Sequence, residues 1–301
     1  MDEIKRISPE QIIEIAAQAG FDPRLMTKDY HITVILYLIK DVENIYFKGG
    51  TALQKILLNH SRLSEDIDFT VTKETLKIKD EIIAKLEQSK FFPKITLDRN
   101  HEHFVRIIVY YDQNNAIFID LNQKAKLLLP PEIKTITHFY PENIPQFTVP
   151  TLASEELIAE KVRAAIQRNK PRDHFDIYEI IKAGIPINLE LVKKKCEEGE
   201  VEFDLSKMFN RAQKLNRRWD EDLLPLIKEE VSFAEVIKTL AEYFQLKKVK
   251  EAKKQSIIRS SYTYLEHTAD VLFVAEAPTL AELFNQCALA VEQSMVEVKK
   301  V

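Results

Sequence analysis

Asp66 and Asp68 flank one isoleucine in "SEDIDF" (Ser64 to Phe69), a spacing with chemical potential. On a β-strand, residues two apart point to the same face. The two carboxylates then stand side by side, and Ile67 and Phe69 face the opposite core. Like charges so placed on a buried strand need a cation or a proton. A divalent metal meets that need, because Mg²⁺ (or Mn²⁺) is commonly held by a few carboxylates and completed by substrate phosphates. A solvated edge strand would tolerate the same acids.

Phosphates would account for a second feature. The chain has 5 glycines in 301 residues, and Gly49 and Gly50 are neighbours in "FKGGTAL", upstream of the acids. A strand running into Gly-Gly-Thr and a helix brings bare backbone N–H groups to a helix N-terminus, where a triphosphate can approach. Thr51 adds a hydroxyl donor or a cap, and Lys48 faces phosphates or solvent. A tight strand-to-helix turn would use the same glycines. The conjunction of the pair with Asp66 and Asp68, one helix apart, points to metal-assisted nucleotidyl transfer. "AIFIDLN" offers a third carboxylate, Asp120, on the strand face opposite Ile117, Ile119 and Leu121. It completes the metal site, acts as base on an incoming hydroxyl, or ends a strand in water.

These residues need elements to hold them. Ser8-Pro9-Glu10-Gln11 reads as a helix start, closed at Gly20. A buried helix is expected over Lys28 to Ile39, a strand over Ile45 to Phe47, a helix over Thr51 to Leu58 and a strand over Ile67 to Val71. An amphipathic helix follows from Lys73 to Gln88. Strands over Phe104 to Tyr111 and Ala116 to Leu121 are joined by the turn-rich "DQNN". Residues 130–150 hold five of the 12 prolines and read as an extended crossover. Helical periodicity then runs to about Lys254. The expected organisation is an α/β domain over 1–149, a helical domain over 150–246, a lysine-rich linker over 247–260 and a short β-α segment over 261–301.

Formal net charge is −4, so no global basic field recruits nucleic acid and any RNA contact is local. The 2 cysteines lie far apart, which fits a reducing compartment. The longest apolar stretch, Ile32 to Ile39, is too short for a membrane span of about 20 residues. A cytoplasmic protein with no membrane contact is the expectation. His31, His60, His101 and His103 show no metal-ligand spacing.

"KGGTAL" followed by "RLSEDIDF" resembles the AbiEii/AbiGii toxin-like nucleotidyltransferases of the DNA polymerase β-like superfamily. "EELIAEKVRAAIQRNKPRDHFDIYEI" (Glu155 to Ile180) is similar to the family's second signature, a Lys–Arg helix followed by an Arg-Asp…Asp helix. The resemblance implies a polymerase β-like sheet with a helical C-terminal half. It also implies transfer of a nucleotide from a nucleoside triphosphate, often to tRNA, by a toxin paired with an antitoxin. It makes Asp66, Asp68, Asp120 and Lys161 the catalytic set, with Lys161 on the triphosphate. Lys48, Gly49, Gly50, Thr51, Ser64, Asp173 and Asp176 become the nucleotide-binding set. Arg62 is expected to pair with an acid near the site. Transfer to a protein or small molecule is the alternative with the same fold.

"YTYLEHTADVLFVAEAPTLAELFNQCALAVEQSM" (Tyr262 to Met295) is similar to the start of archease, which assists the RNA ligase of tRNA splicing. That resemblance makes Asp270 a metal ligand. It also supports a further alternative, a non-catalytic accessory factor in RNA ligation.

Overall fold

The computed structural model describes residues 4–168, 170–210, 212–245, 261–265, 271–277 and 279–297. Its backbone forms two compact units, Met1–Leu240 and Ala241–Val301.

The first unit opens with helices α1 (Pro9–Ala19) and α2 (Pro23–Leu38). Ser8 and Gln11 form the reciprocal capping box that their types and spacing predict, and Gly20 ends α1 in the left-handed conformation. Strand β1 (Ile45–Lys48) leads directly into helix α3 (Gly49–Ile56), and β2 (Asp66–Val71) into helix α4 (Thr75–Ser89). Strands β3 (Lys94–His101), β4 (Phe104–Tyr110), β5 (Ala116–Asn122), β6 (Glu132–Thr135) and β7 (Thr148–Thr151) complete a seven-stranded mixed sheet. Its order is β3-β4-β5-β2-β1-β7-β6. One sheet face carries Ile67, Phe69, Ile107, Ile119 and Leu121, all buried. The alternating polar positions open on the other face, which is why Asp66, Asp68 and Asp120 share it.

The proline-rich crossover does more than connect. β6 and β7 pair antiparallel across it, and β7 pairs parallel with β1 through Phe47 and Thr151. Pro150 lies inside β7, opposite Ile133. It has no N–H to give, but the parallel contact to β1 is made by Thr151, so no ladder bond to β1 is required of it. β3 is the other strand that periodicity does not reveal. It is an exposed edge with a register shift between Leu97 and Arg99.

Beyond β7 come helices α5 (Ser154–Arg168), α6 (Pro171–Lys182), α7 (Leu189–Glu198), α8 (Ala212–Asp222) and α9 (Phe233–Tyr243), with 3₁₀ turns at Leu205–Phe209 and Leu224–Leu226. The second unit contains antiparallel strands β8 (Ser261–Leu265) and β9 (Leu272–Glu276) and helix α10 (Leu280–Glu297). Among the described residues, no helix is long and apolar enough to cross a membrane. Asp270 and residues 247–260 lie outside the described residues.

Helix α3 is anchored from below. Lys55 on α3 meets Asp29 on α2 at 2.7 Å with both side chains buried, and Tyr140 donates its hydroxyl to the same carboxylate at 3.1 Å. His60 sits beside this pair, against Phe139 at 4.5 Å. Burial first, and Lys55 second, push its pKa down from 6.5 to about 4. The unfolded chain therefore takes up the proton first as pH falls. Stability from this residue is fully present above about pH 6.5 and falls by about 3 kcal/mol on reaching pH ~4. Urea titrations at pH 7 and pH 4.5 are expected to show this loss in the wild type and a loss about 2–3 kcal/mol smaller in His60→Gln.

Candidate active site

The sheet register assembles the carboxylates. Lys48 on β1 pairs with Asp68 on β2, and Asp68 pairs in turn with Asp120 on β5. β1 ends at an extended Lys48 that offers no side-chain cap to α3. Gly49 follows with φ +79°, a conformation that disfavours any side chain. A methyl at position 49 would lie 3.0 Å from Asp68 Cγ and closer still to Oδ2. One at position 50 would lie 2.9 Å from Arg62 Nη2 and 3.4 Å from Ser64 Oγ. The glycine pair thus brings the N-terminus of α3 against Asp68 on one side and against Arg62 and Ser64 on the other. A cavity of about 150 Å³ opens there, lined by Lys48, Gly49, Gly50, Asp68, Lys161 and Arg168 among others.

Among the described residues, the carboxylates of Asp66 and Asp68 make no hydrogen bond and no ion pair. Burial raises the pKa of both. For Asp68 burial outweighs the nearby Lys48, Asp120 and Asp66 add to the rise, and the value reaches about 6. Two desolvated acids with no cation in contact are a donor set that a hard divalent cation could fit. Asp120 arrives beside Asp68, yet Arg106 on β4 grips both its oxygens at 2.7 Å. Among the described residues no group of three or more acids, histidines or cysteines is placed to hold a metal. Among the described residues the arrangement thus leaves two carboxylates without a bonded partner, and the third acid is engaged by an arginine.

Lys161 projects from α5 into a buried charge network. Its Nζ lies 3.0 Å from Asp173 Oδ1 and 2.8 Å from Asp176 Oδ2. Arg62 forms a bidentate pair with Asp176 at 2.7 and 2.8 Å, and Gln54 donates to the same carboxylate at 3.0 Å. Arg168 takes Asp173 at 2.7 and 2.9 Å. Burial alone would raise the pKa of both aspartates. For Asp173 the cations Lys161 and Arg168 outweigh it, for Asp176 Arg62 and Lys161 do, and both acids are held low.

This network reshapes three expectations. Asp173 and Asp176 are buried and bonded to Lys161, so the structure places them behind that lysine and not on the cavity wall. The Thr51 hydroxyl is spent on the backbone carbonyl of Asp66, tying α3 to β2, and is not left for a phosphate. Lys48 leans on Glu160 at 3.7 Å. Sequence reasoning missed Arg106 and Glu160. Arg106 occupies a polar position on a strand, and only the register gives it Asp120 as partner. Glu160 reads as an ordinary helix charge until the fold shows Lys48 and Lys195 on either side of it.

The model of the family described as the nucleotidyl transferase AbiEii toxin of type IV toxin–antitoxin systems matches residues 36–245. Residues 262–301 match that of the archease protein family. A search of curated proteins gave no significant match. Among solved structures, MenT4, a nucleotidyltransferase toxin from Mycobacterium tuberculosis H37Rv, is similar at a TM-score of 0.57 and 19% identity, over 79% of this chain and 89% of that one. A candidate nucleotidyltransferase from H. pylori is similar at a TM-score of 0.52 and 18% identity, over 77% of this chain and 99% of that one. At these identities the likeness is one of fold. The AbiEii match spans well over half of the sequence and contains the glycine pair, the two strand aspartates and the Lys161 network, so the chain belongs to the AbiEii nucleotidyltransferase toxin family.

Proposed function

We propose that the protein transfers a nucleotide from a nucleoside triphosphate to an RNA 3′ hydroxyl, with tRNA as the leading acceptor, and needs Mg²⁺ or Mn²⁺ held by Asp66 and Asp68. Nucleotidyltransferases of this family use a nucleoside triphosphate and a divalent cation, and as toxins they are paired with an antitoxin. The observation that carries the reading is the close approach of the Gly49-Gly50 backbone to Asp68, with Lys161 lining the same cavity.

The chain's own groups divide the work. The N–H groups at the start of α3 receive phosphate oxygens, helped by the helix dipole. Lys161, fixed by two carboxylates, offsets charge that develops on the leaving pyrophosphate. A bound divalent cation would activate the acceptor hydroxyl and neutralise the α-phosphate. The acceptor oxygen bonds to the α-phosphorus, the bond from that phosphorus to the bridging oxygen breaks, and pyrophosphate departs with the electron pair. The acceptor's proton passes to a carboxylate of the cluster.

An anionic acceptor suits the surroundings. Arg168 at the end of α5, and Lys170 and Arg172 at the start of α6, follow closely on one another. Burial is the main cause that lowers the pKa of Lys170, and the charges of Arg168 and Arg172, themselves paired with Asp173 and Glu65, add to it. Such a cluster favours a phosphodiester chain. In the test, the protein is incubated with each labelled nucleoside triphosphate, Mg²⁺ and tRNA. Label is expected to pass to the RNA, and Asp66→Ala is expected to reduce transfer at least about 10³-fold. Unchanged transfer in that variant would sink the assignment. A panel with protein and small-molecule acceptors separates the RNA reading from its alternative.

A further inference from the structure

We propose that the cavity between the end of β5, helix α5 and helix α7 receives the nucleoside half of the triphosphate, a reading that rests on the phosphate assignment above. The cavity over Gly49 and Gly50 has about 150 Å³. A second cavity of about 370 Å³ is lined by Asn122, Lys124, Glu160, Arg163, Glu198 and Gly199, among others. Glu160 and Arg163 line both, so the two cavities adjoin.

Strand β5 links them. Asp120 is the register partner of Asp68, and Asn122 lies two residues further along the same face. A nucleotide with its phosphates over the glycines and its α-phosphate near Asp68 has its nucleoside directed along this strand. Asn122 is prepared for such a ligand. Its Oδ1 accepts the Lys124 N–H at 2.9 Å, which fixes the amide. Among the described residues its NH₂ group makes no hydrogen bond, and two donors are left on the wall of the cavity. They suit a base carbonyl or a sugar hydroxyl.

The other walls fit the same ligand. Arg163 adds a guanidinium, and Gly199 leaves space beside it, since a methyl at 199 would stand 3.1 Å from Arg163 Nη1. Glu160, Glu198 and Glu200 line the cavity together with Lys124, Arg163 and Lys195, so its charged side chains balance. Lys195 makes the wall rigid by holding Glu156 at 2.6 Å, Glu198 at 2.9 Å and Glu160 at 3.2 Å while fully buried.

Calorimetric titration of the full chain with a non-hydrolysable nucleoside triphosphate and with inorganic tripolyphosphate, each with Mg²⁺, tests the proposal. The variants are Asn122→Asp, which keeps the acceptor for Lys124 N–H and loses the donors, and Gly199→Leu. Position 199 has φ −89°, so leucine fits the backbone and fills the cavity. Nucleotide affinity is expected to fall about tenfold or more in both variants, the scale of one or two hydrogen bonds. Tripolyphosphate affinity is expected to change far less. The charge added by Asn122→Asp acts on both anions, so for that variant the readout is the fall in nucleotide affinity beyond that of tripolyphosphate. Unchanged nucleotide binding, or equal loss of both ligands, overturns the nucleoside site. Wild-type protein that binds neither ligand overturns the phosphate assignment and this proposal with it. Wild-type protein that binds both equally overturns this proposal alone.

Discussion

Gly49→Ala is expected to abolish nucleotide transfer in a protein that still folds. The added methyl would stand 3.0 Å from Asp68 Cγ and closer to Oδ2, so the carboxylate or the start of α3 must move. Position 49 also holds φ +79°, which costs a residue with a Cβ roughly 1–2 kcal/mol. A site whose acid and phosphate cradle are displaced by an ångström loses on the order of 10²-fold or more, and here both move at once. The expected loss in kcat is therefore about 10³-fold, measured by label transfer. The loss of stability is expected to stay near 1–2 kcal/mol in urea titration. Retained activity would show that Asp68 and the glycine backbone do not act on the same ligand.

Asp176→Ala is expected to have the largest effect on stability. Asp176 is fully buried and neutralises two cations, Arg62 at 2.7 Å and Lys161 at 2.8 Å. Its removal leaves Arg62, which is itself buried, without a counter-charge, and leaves Gln54 Nε2 without its acceptor. Breaking one side of such a pair costs about 3–5 kcal/mol. That is a large share of the 5–15 kcal/mol that holds a typical domain. Urea titration at pH 7 reads the loss. A double variant, Asp176→Leu with Arg62→Met, is expected to recover part of it, because apolar packing replaces the unpaired charge. It would not recover transfer, since Lys161 would keep only Asp173.

Much of this arrangement was legible in the residues. Alternation in "DIDF" and "IFIDL" put Asp66, Asp68 and Asp120 on one sheet face, and the structure gives those strands that alternation of burial. The helix start at Ser8 and its end at Gly20 followed from local chemistry. Non-local pairing was less readable. β7 joins the sheet despite Pro150, because one residue beyond the proline makes the parallel contact with β1. The partners of Asp120 and Lys48 depend on register and on helix docking. No local pattern in the sequence encodes Arg106 against Asp120 or Glu160 against Lys48. Thr51 shows the same limit, since its hydroxyl had two plausible uses and the fold chose a backbone carbonyl.

The anionic hub at Asp176 also sets an order of events during synthesis. Gln54 and Arg62 leave the ribosome 122 and 114 residues ahead of the carboxylate that they bind. At about 5–20 residues per second, roughly 6–24 s separate them. Throughout that interval the nascent chain carries the glycine pair and the strand aspartates, but it lacks the acids that aim Lys161. For a toxin, this ties harm to completion. A fragment released before α6 is expected to be inert, because it lacks the two carboxylates that Lys161 contacts.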